Sequence, residues 1–296
     1  MSTFIRAGFA VLRPIFARLR AIPQPSRDVR PRLGPTLAAL VLGLFVVAAL
    51  MPDLIATRSP DATDPVSALQ PPGGAHWFGT DQLGRDVFSR VVHGARASLS
   101  VGVGATLAAT TAGVLLGLAA AFGGRVGDAV LMRALDTLLA LPEMLVALLV
   151  VTIVGPGTGN VLLAIAVAGV PGYARMTRSR ARIVRRADYV EAAVGSGVSR
   201  PALLLRHVLP NAIGPVLVLA TIGTGTAIVS GAALSFLGLG PRPPASEWGA
   251  MLASGQDFLQ IAWWTSVFPG AAIAATVMSI TVLGRHLQTH HTKDTK

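Results

Sequence analysis

Two carboxylates stand in a stretch of the chain that is otherwise almost free of charge. Asp136 and Glu143 are seven residues apart, which puts them on one face of a helix, with Pro142 between them. Carboxylates in an apolar helix are costly, so they commonly bind a cation, relay protons or line a polar path. For Asp136 we favour an ion pair with Arg133, one turn away. For Glu143 a structural role and a pore-lining role, near the amino group of a ligand, both stay open.

The sequence gives little support for a metal site or a phosphate-binding loop. The histidines are either isolated or grouped near the C-terminus, and they are His76, His93, His207, His286, His290 and His291. We interpret the last three as part of an unstructured tail. The chain has no cysteine, and its only lysines, Lys293 and Lys296, lie outside any GxxxxGK[ST] phosphate-binding loop. We therefore predict no catalytic residue, metal ligand or cofactor in this chain.

Long charge-free runs indicate the fold class. Only 13% of the residues are charged and the mean hydropathy is +0.61, too apolar for an ordinary soluble domain. The runs without Asp, Glu, Lys or Arg are 33–52, 97–124, 144–174, 207–241 and 258–284. Each is near or beyond the roughly 20 residues that a helix needs to cross a membrane, and none alternates as a barrel strand would. The sequence predicts an all-α polytopic membrane protein with six transmembrane helices, near 34–52, 98–121, 134–154, 160–176, 212–236 and 263–284.

The net charge of +11 follows the predicted topology. With the N-terminus inside, 20 of the 25 Lys and Arg lie in cytoplasmic segments. This positive-inside bias predicts cytoplasmic N- and C-termini and explains the basic excess without a nucleic-acid partner. The predicted organisation is a cytoplasmic tail (1–33), a first transmembrane helix (34–56), an extracytoplasmic segment (57–97), a five-helix core (98–284) with a cytoplasmic loop (177–211), and a second cytoplasmic tail (285–296).

Two extracytoplasmic insertions are predicted. Residues 57–86 are rich in Pro, Gly and Asp and favour irregular loop. Residues 85–100 indicate a short amphipathic helix leading into the second span. Its apolar side would consist of Val87, Val91 and Ala95, with Arg85, Arg90 and Arg96 largely elsewhere. The second insertion runs from Leu239 to about Ala262, and the tryptophans in and next to it, Trp248, Trp263 and Trp264, favour the headgroup level.

Small residues are frequent in two spans. Gly113 and Gly117 form a GxxxG pair, and residues 220–236 are almost wholly Ala, Gly, Ser, Thr and β-branched residues. Small side chains let helix backbones approach closely in lipid. The pattern leaves open whether these faces pack within one subunit or against a partner or pore.

The first part of the loop at 188–211 favours a helix of about two turns. Asp188 followed by Glu191 resembles a capping box that would start this helix. Gly195 and Gly197 are expected to end it, with Gly197 permitting a sharp turn.

A second short helix is expected to follow. Ser199 would cap it, Pro201 would lie in its first turn, and it would stop before Pro210. It carries three leucines, Leu203, Leu204 and Leu205. Helices this short are marginal alone, so they need a docking surface, which is either the chain's own bundle or a separate partner.

An ordered series of motifs gives the chain a family resemblance. The string from Glu191 to Pro210, EAAVGSG followed by LP, resembles the EAA signature of inner-membrane permeases of ABC importers. GTDQLGRDVFSRVVHGARASL (79–99) is similar to the outer segment of dipeptide, oligopeptide and nickel permeases, in the subunit with an extra span before a five-span core. The same subunit is matched by GGRVGDAVLMRALDTLLALP (123–142), GYARMTRSR (172–180), SFLGLG (235–240) and EWGAMLASG (247–255). The resemblance covers about residues 36–284, whereas the tail lacks the usual GDxLRDxLDP ending.

The resemblance implies the type I ABC importer permease fold and a non-catalytic subunit of the bacterial inner membrane, with dipeptides or oligopeptides as substrates. The expected partners are a homologous permease subunit, two ATP-binding subunits that would hold ATP and Mg, and an extracytoplasmic substrate-binding protein. Expected contacts with an ATP-binding subunit are Glu191, Ala192, Ala193, Gly197, Leu204, Leu205, Arg206 and Pro210. Expected contacts with the binding protein are Asp81, Arg85, Asp86, Trp248 and Trp263.

Two other functions stay open. Within the family, the solute could be nickel or another small molecule. Outside it, a proton-coupled secondary transporter would need carboxylates near the membrane midplane, where only Glu143 and Asp136 are candidates.

Overall fold

The computed structural model describes the backbone of residues 33–291 and the side chains of residues 33–288. Residues 1–32 of the predicted N-terminal tail (1–33) and residues 292–296 of the predicted C-terminal tail (285–296) lie outside this part. The helices are, in chain order, α1 (Leu33–Leu50), α2 (Val87–Phe122), α3 (Gly124–Leu139), α4 (Glu143–Val154), α5 (Thr158–Arg185), α6 (Asp188–Gly195), α7 (Arg200–Phe236), α8 (Trp248–Gly255) and α9 (Trp264–His291). Among the described residues, α1, α2, α5, α7 and α9 are long and apolar enough to cross a membrane.

The third predicted span is broken in the middle. Instead of one helix at 134–154, the chain forms α3 and α4, which meet at an angle of 93°. Pro142 stands at the N-cap of α4. Proline lacks a backbone N–H and disfavours helical backbone at the residue before it, so the chain turns there. With the bent pair counted as one span, the described chain has up to six spans, which agrees with the predicted number.

The predicted amphipathic helix at 85–100 and the second span form one helix. α2 has 36 residues, and at about 1.5 Å per residue it is about 54 Å long, well beyond the roughly 30 Å of a hydrocarbon core. Its first turns therefore project past the membrane. Val87, Val91 and Ala95, the predicted apolar side, are buried within the protein, but Arg90, which was expected to lie away from that face, is buried too.

The C-terminal histidines belong to a helix. α9 continues to His291, so the prediction of an unstructured tail is wrong for residues 285–291. No proline or glycine follows Gly284 in this stretch, and its Arg, Leu and Gln residues have high helix propensity, so nothing local ends the helix.

Glycine contacts join α2, α5 and α7 at the centre of the bundle. Gly113 of α2 lies against Tyr173 of α5, and a methyl group at Gly117 would lie 2.5 Å from the carbonyl oxygen of Ala174. Gly223 of α7 lies against the hydroxyl of the same tyrosine. A larger side chain at any of these positions would push the helices apart. These glycines therefore pack within the subunit, which is one of the arrangements that the sequence left open.

The two ends of the bundle have different structures. At the end that we call the insertion end, segments 51–86 and 237–263 pack together around an apolar cluster that includes Val87, Trp248 and Trp264. At the opposite end, which we call the loop end, the cluster includes Leu118, Ala181 and Val208. The bundle therefore carries its longest irregular segments at one end and the 186–199 loop at the other.

Candidate coupling surface and transport path

The first helix of the loop has the predicted limits but a different cap. α6 begins at Asp188 and ends at Gly195. The predicted capping box is wrong, because Asp188 is already helical, Ala187 is the N-cap and no side chain caps the helix. The negative charges of Asp188 and Glu191 still lie in the first turn, where the helix dipole favours them. Beyond the helix, Gly197 has a φ of +81°, a left-handed conformation that suits glycine.

The second predicted short helix is the beginning of a long one. α7 starts at Arg200 and runs through Pro210 without a break, so the predicted stop before Pro210 is wrong. Residues Leu203–Val208 are π-helical, and the N–H of Leu209 donates to the carbonyl oxygen of Leu204. This wider turn accommodates one extra residue ahead of the proline, whose ring would clash with a carbonyl in a regular α-helix.

Burial divides the loop into an inner and an outer side. Val190, Leu203 and Val208 are buried against the bundle. On the outer side, Tyr189 is 48% exposed and Leu205 is 61% exposed. Of the predicted coupling residues, Ala193 and Leu204 are half-buried, and the exposed ones are Glu191, Ala192, Gly197, Leu205, Arg206 and Pro210. We call the outer side the loop surface, defined by Tyr189, Glu191, Ala192, Val194, Leu205 and Arg206.

Two continuous helices connect the loop surface to the centre of the bundle. α5 passes the bundle centre at residues 165–173 and continues to Arg185 without interruption. α7 leaves the loop at Arg200 and reaches the same centre at residues 219–227. The loop is therefore joined to the bundle centre by two uninterrupted helices.

Ion pairs attach α3 to α5 near the loop end. Asp128 is buried and accepts hydrogen bonds from Arg178 and Arg182, each with an Nη2–Oδ2 distance of 2.6 Å. Asp136 pairs with Arg175 at 2.5 Å rather than with Arg133, which corrects the predicted partner. The corrected pair joins two helices, whereas the predicted one would have lain within α3. The helix that leads into the corner between α3 and α4 is therefore held to α5 by ion pairs.

Replacing Asp128 with asparagine is expected to loosen this attachment. The variant keeps the shape of the side chain but leaves two guanidinium groups without their carboxylate. Because Arg182 is about half-exposed, water compensates in part, and we expect a loss of about 1–2 kcal/mol. The melting temperature of the purified protein should fall by a few degrees. Asp136→Asn is the control, because that pair is more exposed and should matter less; equal shifts in the two variants would contradict the assignment.

A cavity of about 210 Å³ lies at the bundle centre. α2, α5 and α7 provide its walls, and the corner between α3 and α4 borders it with Leu138, Leu139 and Leu141. Its polar lining comes from Thr106, Glu143, Tyr173 and Thr226. The cavity therefore combines the leucines of the α3–α4 corner with a small set of polar groups, as expected of a path for a small polar solute.

Glu143 brings a negative charge to this cavity. It is the first residue of α4, and its Oε1 would lie 3.9 Å from a methyl group placed on Gly169. Within the described part of the chain its carboxylate forms no ion pair, unlike Asp128 and Asp136. Sequence reasoning missed Tyr173, although the chain has only two tyrosines and this one follows a long apolar run.

Most residues predicted to face a binding protein are inside the structure. Asp81, Arg85, Asp86 and Trp248 are each at most 6% exposed. Their side chains are therefore not available at the surface, which corrects that part of the prediction. Trp263, the fifth residue of the set, is 49% exposed.

The buried charges hold the insertion end together. Arg85 pairs with Asp81 at 2.7 Å. Asp86 caps α2 by accepting from the backbone N–H of Ser89 at 2.8 Å, and it also contacts His76 at 2.9 Å. Large apolar side chains are exposed here instead, with Trp77 59%, Ile261 67% and Val66 92% exposed. Trp77 was not among the predicted residues, although a tryptophan in a Pro- and Gly-rich loop could have indicated it.

Trp248 connects the second insertion to α2. It is fully buried, and its Nε1–H donates to the carbonyl oxygen of Val91 at 2.8 Å. Trp248→Phe removes this bond and part of the ring, so we expect a loss of about 1–2 kcal/mol and a melting temperature lower by a few degrees. Trp263→Phe is the matched control at an exposed site and should change it little. Similar shifts would mean that the buried bond does not stabilise this end.

The fold and the site define a class of protein. Several apolar helices surround a central cavity with a polar lining, and two of them run directly into an exposed loop. This arrangement is that of a multi-pass membrane transport component.

Comparisons with known proteins agree. The family model for the binding-protein-dependent transport system inner membrane component matches residues 113–296. The dipeptide transport system permease protein DppC of Alkalihalophilus pseudofirmus is 41% identical over 249 residues, 84% of this chain and 82% of that protein. The probable D,D-dipeptide transport system permease protein DdpC of Escherichia coli K12 is 40% identical over 248 residues, 83% of each. A chain of the methionine ABC transporter MetNI, facing inward, superposes with a TM-score of 0.55 at 17% identity, covering 68% of this chain and 95% of that one.

The chain belongs to the family of binding-protein-dependent transport system inner membrane components. It is a multi-pass inner-membrane permease, and the predicted family and all-α ABC importer permease fold are confirmed.

Proposed function

We propose that this chain is the permease subunit of an ATP-driven importer of dipeptides or oligopeptides. The observation that carries the proposal is the 41% identity to a dipeptide transport system permease over 84% of the chain. Further relatives that are named as peptide or di/tripeptide transport permeases align over similar lengths. The cavity between α2, α5 and α7 supports the proposal, because it gives a small polar solute a path.

The energy comes from other subunits. Two ATP-binding subunits hold ATP and Mg, and each binds the cytoplasmic loop of one permease subunit. In this chain the contact is the loop surface, where exposed apolar residues surround Glu191 and Arg206. ATP-driven closure displaces α6, and α5 and α7 carry the displacement to the cavity. The ion pairs of Asp128 and Asp136 move the α3–α4 corner with α5.

The shape of the chain supports the positions proposed for the remaining partners. A homologous permease subunit completes the path on the side of the cavity that this chain leaves open. A substrate-binding protein docks at the insertion end, where Trp77, Ile261 and Trp263 are exposed. The loop end and both termini are cytoplasmic, in keeping with the eight arginines at 173–211.

Glu143 lines the transport path in this proposal. A carboxylate without a basic partner offers an ionic hydrogen bond to the ammonium group of a peptide N-terminus. The neighbouring Tyr173 supplies a hydroxyl group for the rest of the backbone.

Reconstitution tests the proposal. The complex with its cognate subunits is placed in proteoliposomes, and uptake of a labelled dipeptide is measured with ATP inside and binding protein outside. We expect uptake that requires both. Uptake of nickel but not peptide would replace the substrate, and uptake driven by a proton gradient without ATP would overturn the class.

A further inference from the structure

A large basic cleft lies at the loop end, away from the central cavity. It has a volume of about 1030 Å³ and separates the loop from the ends of α2 and α3. Its arginines come from several segments, and they are Arg125, Arg182, Arg185, Arg186 and Arg200. Asp128 is the one carboxylate among the lining residues of the described chain. The cleft therefore carries a clear excess of positive charge.

Two of these arginines are already engaged. Arg182 binds Asp128. Arg185 donates to the carbonyl oxygen of Ala121, and its guanidinium lies over the ring of Phe122, 4.5 Å from the ring centroid.

The other three cations lack a partner in the described part of the chain. The side chains of Arg125, Arg186 and Arg200 are exposed and form no hydrogen bond or ion pair with any described residue. Like charges around one cleft repel each other, so a bound anion would relieve this repulsion. Guanidinium groups match phosphate geometrically, since their planar fork donates two parallel hydrogen bonds.

The position of the cleft favours a lipid phosphate. α2 ends at Phe122, at the rim of the cleft and next to the predicted end of the second span, which places this end of α2 at headgroup level. Arg185, the last residue of α5, lies against Phe122 at the same rim. Part of the wall is apolar, with Phe122, Val194, Val198 and Leu203. Val126 and Val130 of α3 are 76% and 66% exposed next to Arg125. A ligand with an anionic head and an apolar body fits this combination better than a free ion does.

The chain's own N-terminal segment is a poor occupant. Residues 1–32 contain seven arginines and a single acidic residue, Asp28. This segment would add positive charge to a site that already has an excess.

We propose that the basic cleft binds the phosphate headgroup of an anionic phospholipid, with Arg125, Arg186 and Arg200 as its ligands. The bound lipid bridges the start of α3, the end of α5 and the start of α7. It thereby connects the cytoplasmic loop (177–211) to the headgroup layer. This lipid site goes beyond the proposed transport function.

Lipid binding to the purified native assembly tests this site directly. The assembly is reconstituted in nanodiscs of phosphatidylcholine with phosphatidylglycerol, and retained phosphatidylglycerol is counted by native mass spectrometry. We expect the triple variant Arg125→Gln, Arg186→Gln, Arg200→Gln to bind it at least about tenfold more weakly, since each arginine near a membrane surface contributes measurably to anionic lipid binding. The matched control is Arg58→Gln, Arg96→Gln, Arg242→Gln, which removes three exposed arginines at the insertion end and should leave binding unchanged.

Three results would overturn the proposal. Undiminished phosphatidylglycerol binding in the triple glutamine variant would exclude Arg125, Arg186 and Arg200 as lipid ligands. Displacement of the lipid by inorganic phosphate at low concentration would identify a free-anion site. Loss of the ATP-binding subunits from the variant assembly, with lipid binding retained, would assign the cleft to an acidic surface of that partner. The triple Arg→Lys variant guards against misfolding, because it keeps the charges and should restore part of the binding.

Discussion

Glu191→Lys is expected to lower ATP-driven uptake by about a hundredfold or more. Glu191 is exposed in the first turn of α6, and the proposed contact pairs it with a basic group of an ATP-binding subunit. Charge reversal would place like charges together at an interface, which costs several kcal/mol. Binding-protein-stimulated ATP hydrolysis should fall with uptake, because the loop would no longer follow closure of the ATP-binding subunits. Uptake and hydrolysis are measured together in proteoliposomes.

Asp188→Lys is the matched control. Both residues are exposed acids in the first turn of the same helix, so both substitutions remove a favourable dipole interaction of about 0.3–1 kcal/mol. A large difference in uptake between the two variants is expected only if Glu191 makes a specific contact. The loss in Glu191→Gln should then lie between the losses in the two lysine variants. Equal losses would show that helix stability, rather than a contact at Glu191, explains the effect.

The sequence was sufficient for the spans, because the free energy of transferring charged groups into lipid is large and local. Charge-free runs therefore located each apolar helix, although several helices extend well beyond the predicted span, as α2 does at its start and α5 at its end. The direction of the chain after Pro142 could not be predicted from the sequence. Proline indicates a break but does not set the angle, which is 93° between α3 and α4. The ion pairs that hold α3 against α5 join residues distant in the sequence, so no local pattern signals them.

The loop illustrates where a local rule fails. Pro210 indicated the end of a helix, yet the chain continues through it because the π-helical turn at Leu203–Val208 removes the clash. The leucines of this stretch could not be sorted from sequence either. Leu203 faces the bundle and Leu205 faces outward, and only the direction in which α7 enters the bundle separates them.

The insertion end shows the same limit for charged residues. Asp81 and Arg85 lie in a segment rich in Pro and Gly, so exposure was the natural expectation. In the structure they neutralise each other at 2.7 Å and are buried under the second insertion. Segments 57–97 and 239–262 are far apart in the sequence, and no local pattern signals that they pack together.

Glu143→Gln is expected to lower peptide uptake about tenfold to a hundredfold. The carboxylate borders the central cavity without a basic partner among the described residues, and its proposed ligand is the ammonium group of the peptide. A hydrogen bond to a charged group contributes about 1.5–3 kcal/mol, which corresponds to that range. ATP hydrolysis stimulated by the binding protein should stay close to that of the unmodified complex, since the loop surface is untouched. The measurement is the ratio of peptide taken up to ATP hydrolysed.

Two variants separate charge from packing at this site. Glu143→Asp keeps the charge and should restore much of the uptake. Thr106→Val lines the same cavity and keeps its volume while removing a hydroxyl that has no hydrogen-bond partner among the described residues, so its effect should be small. If uptake and ATP hydrolysis fell together in Glu143→Gln, the carboxylate would act on the coupling of α4 to the bundle. A selective fall in uptake follows only if the solute passes within reach of this charge, because no other carboxylate lines the cavity in the described chain.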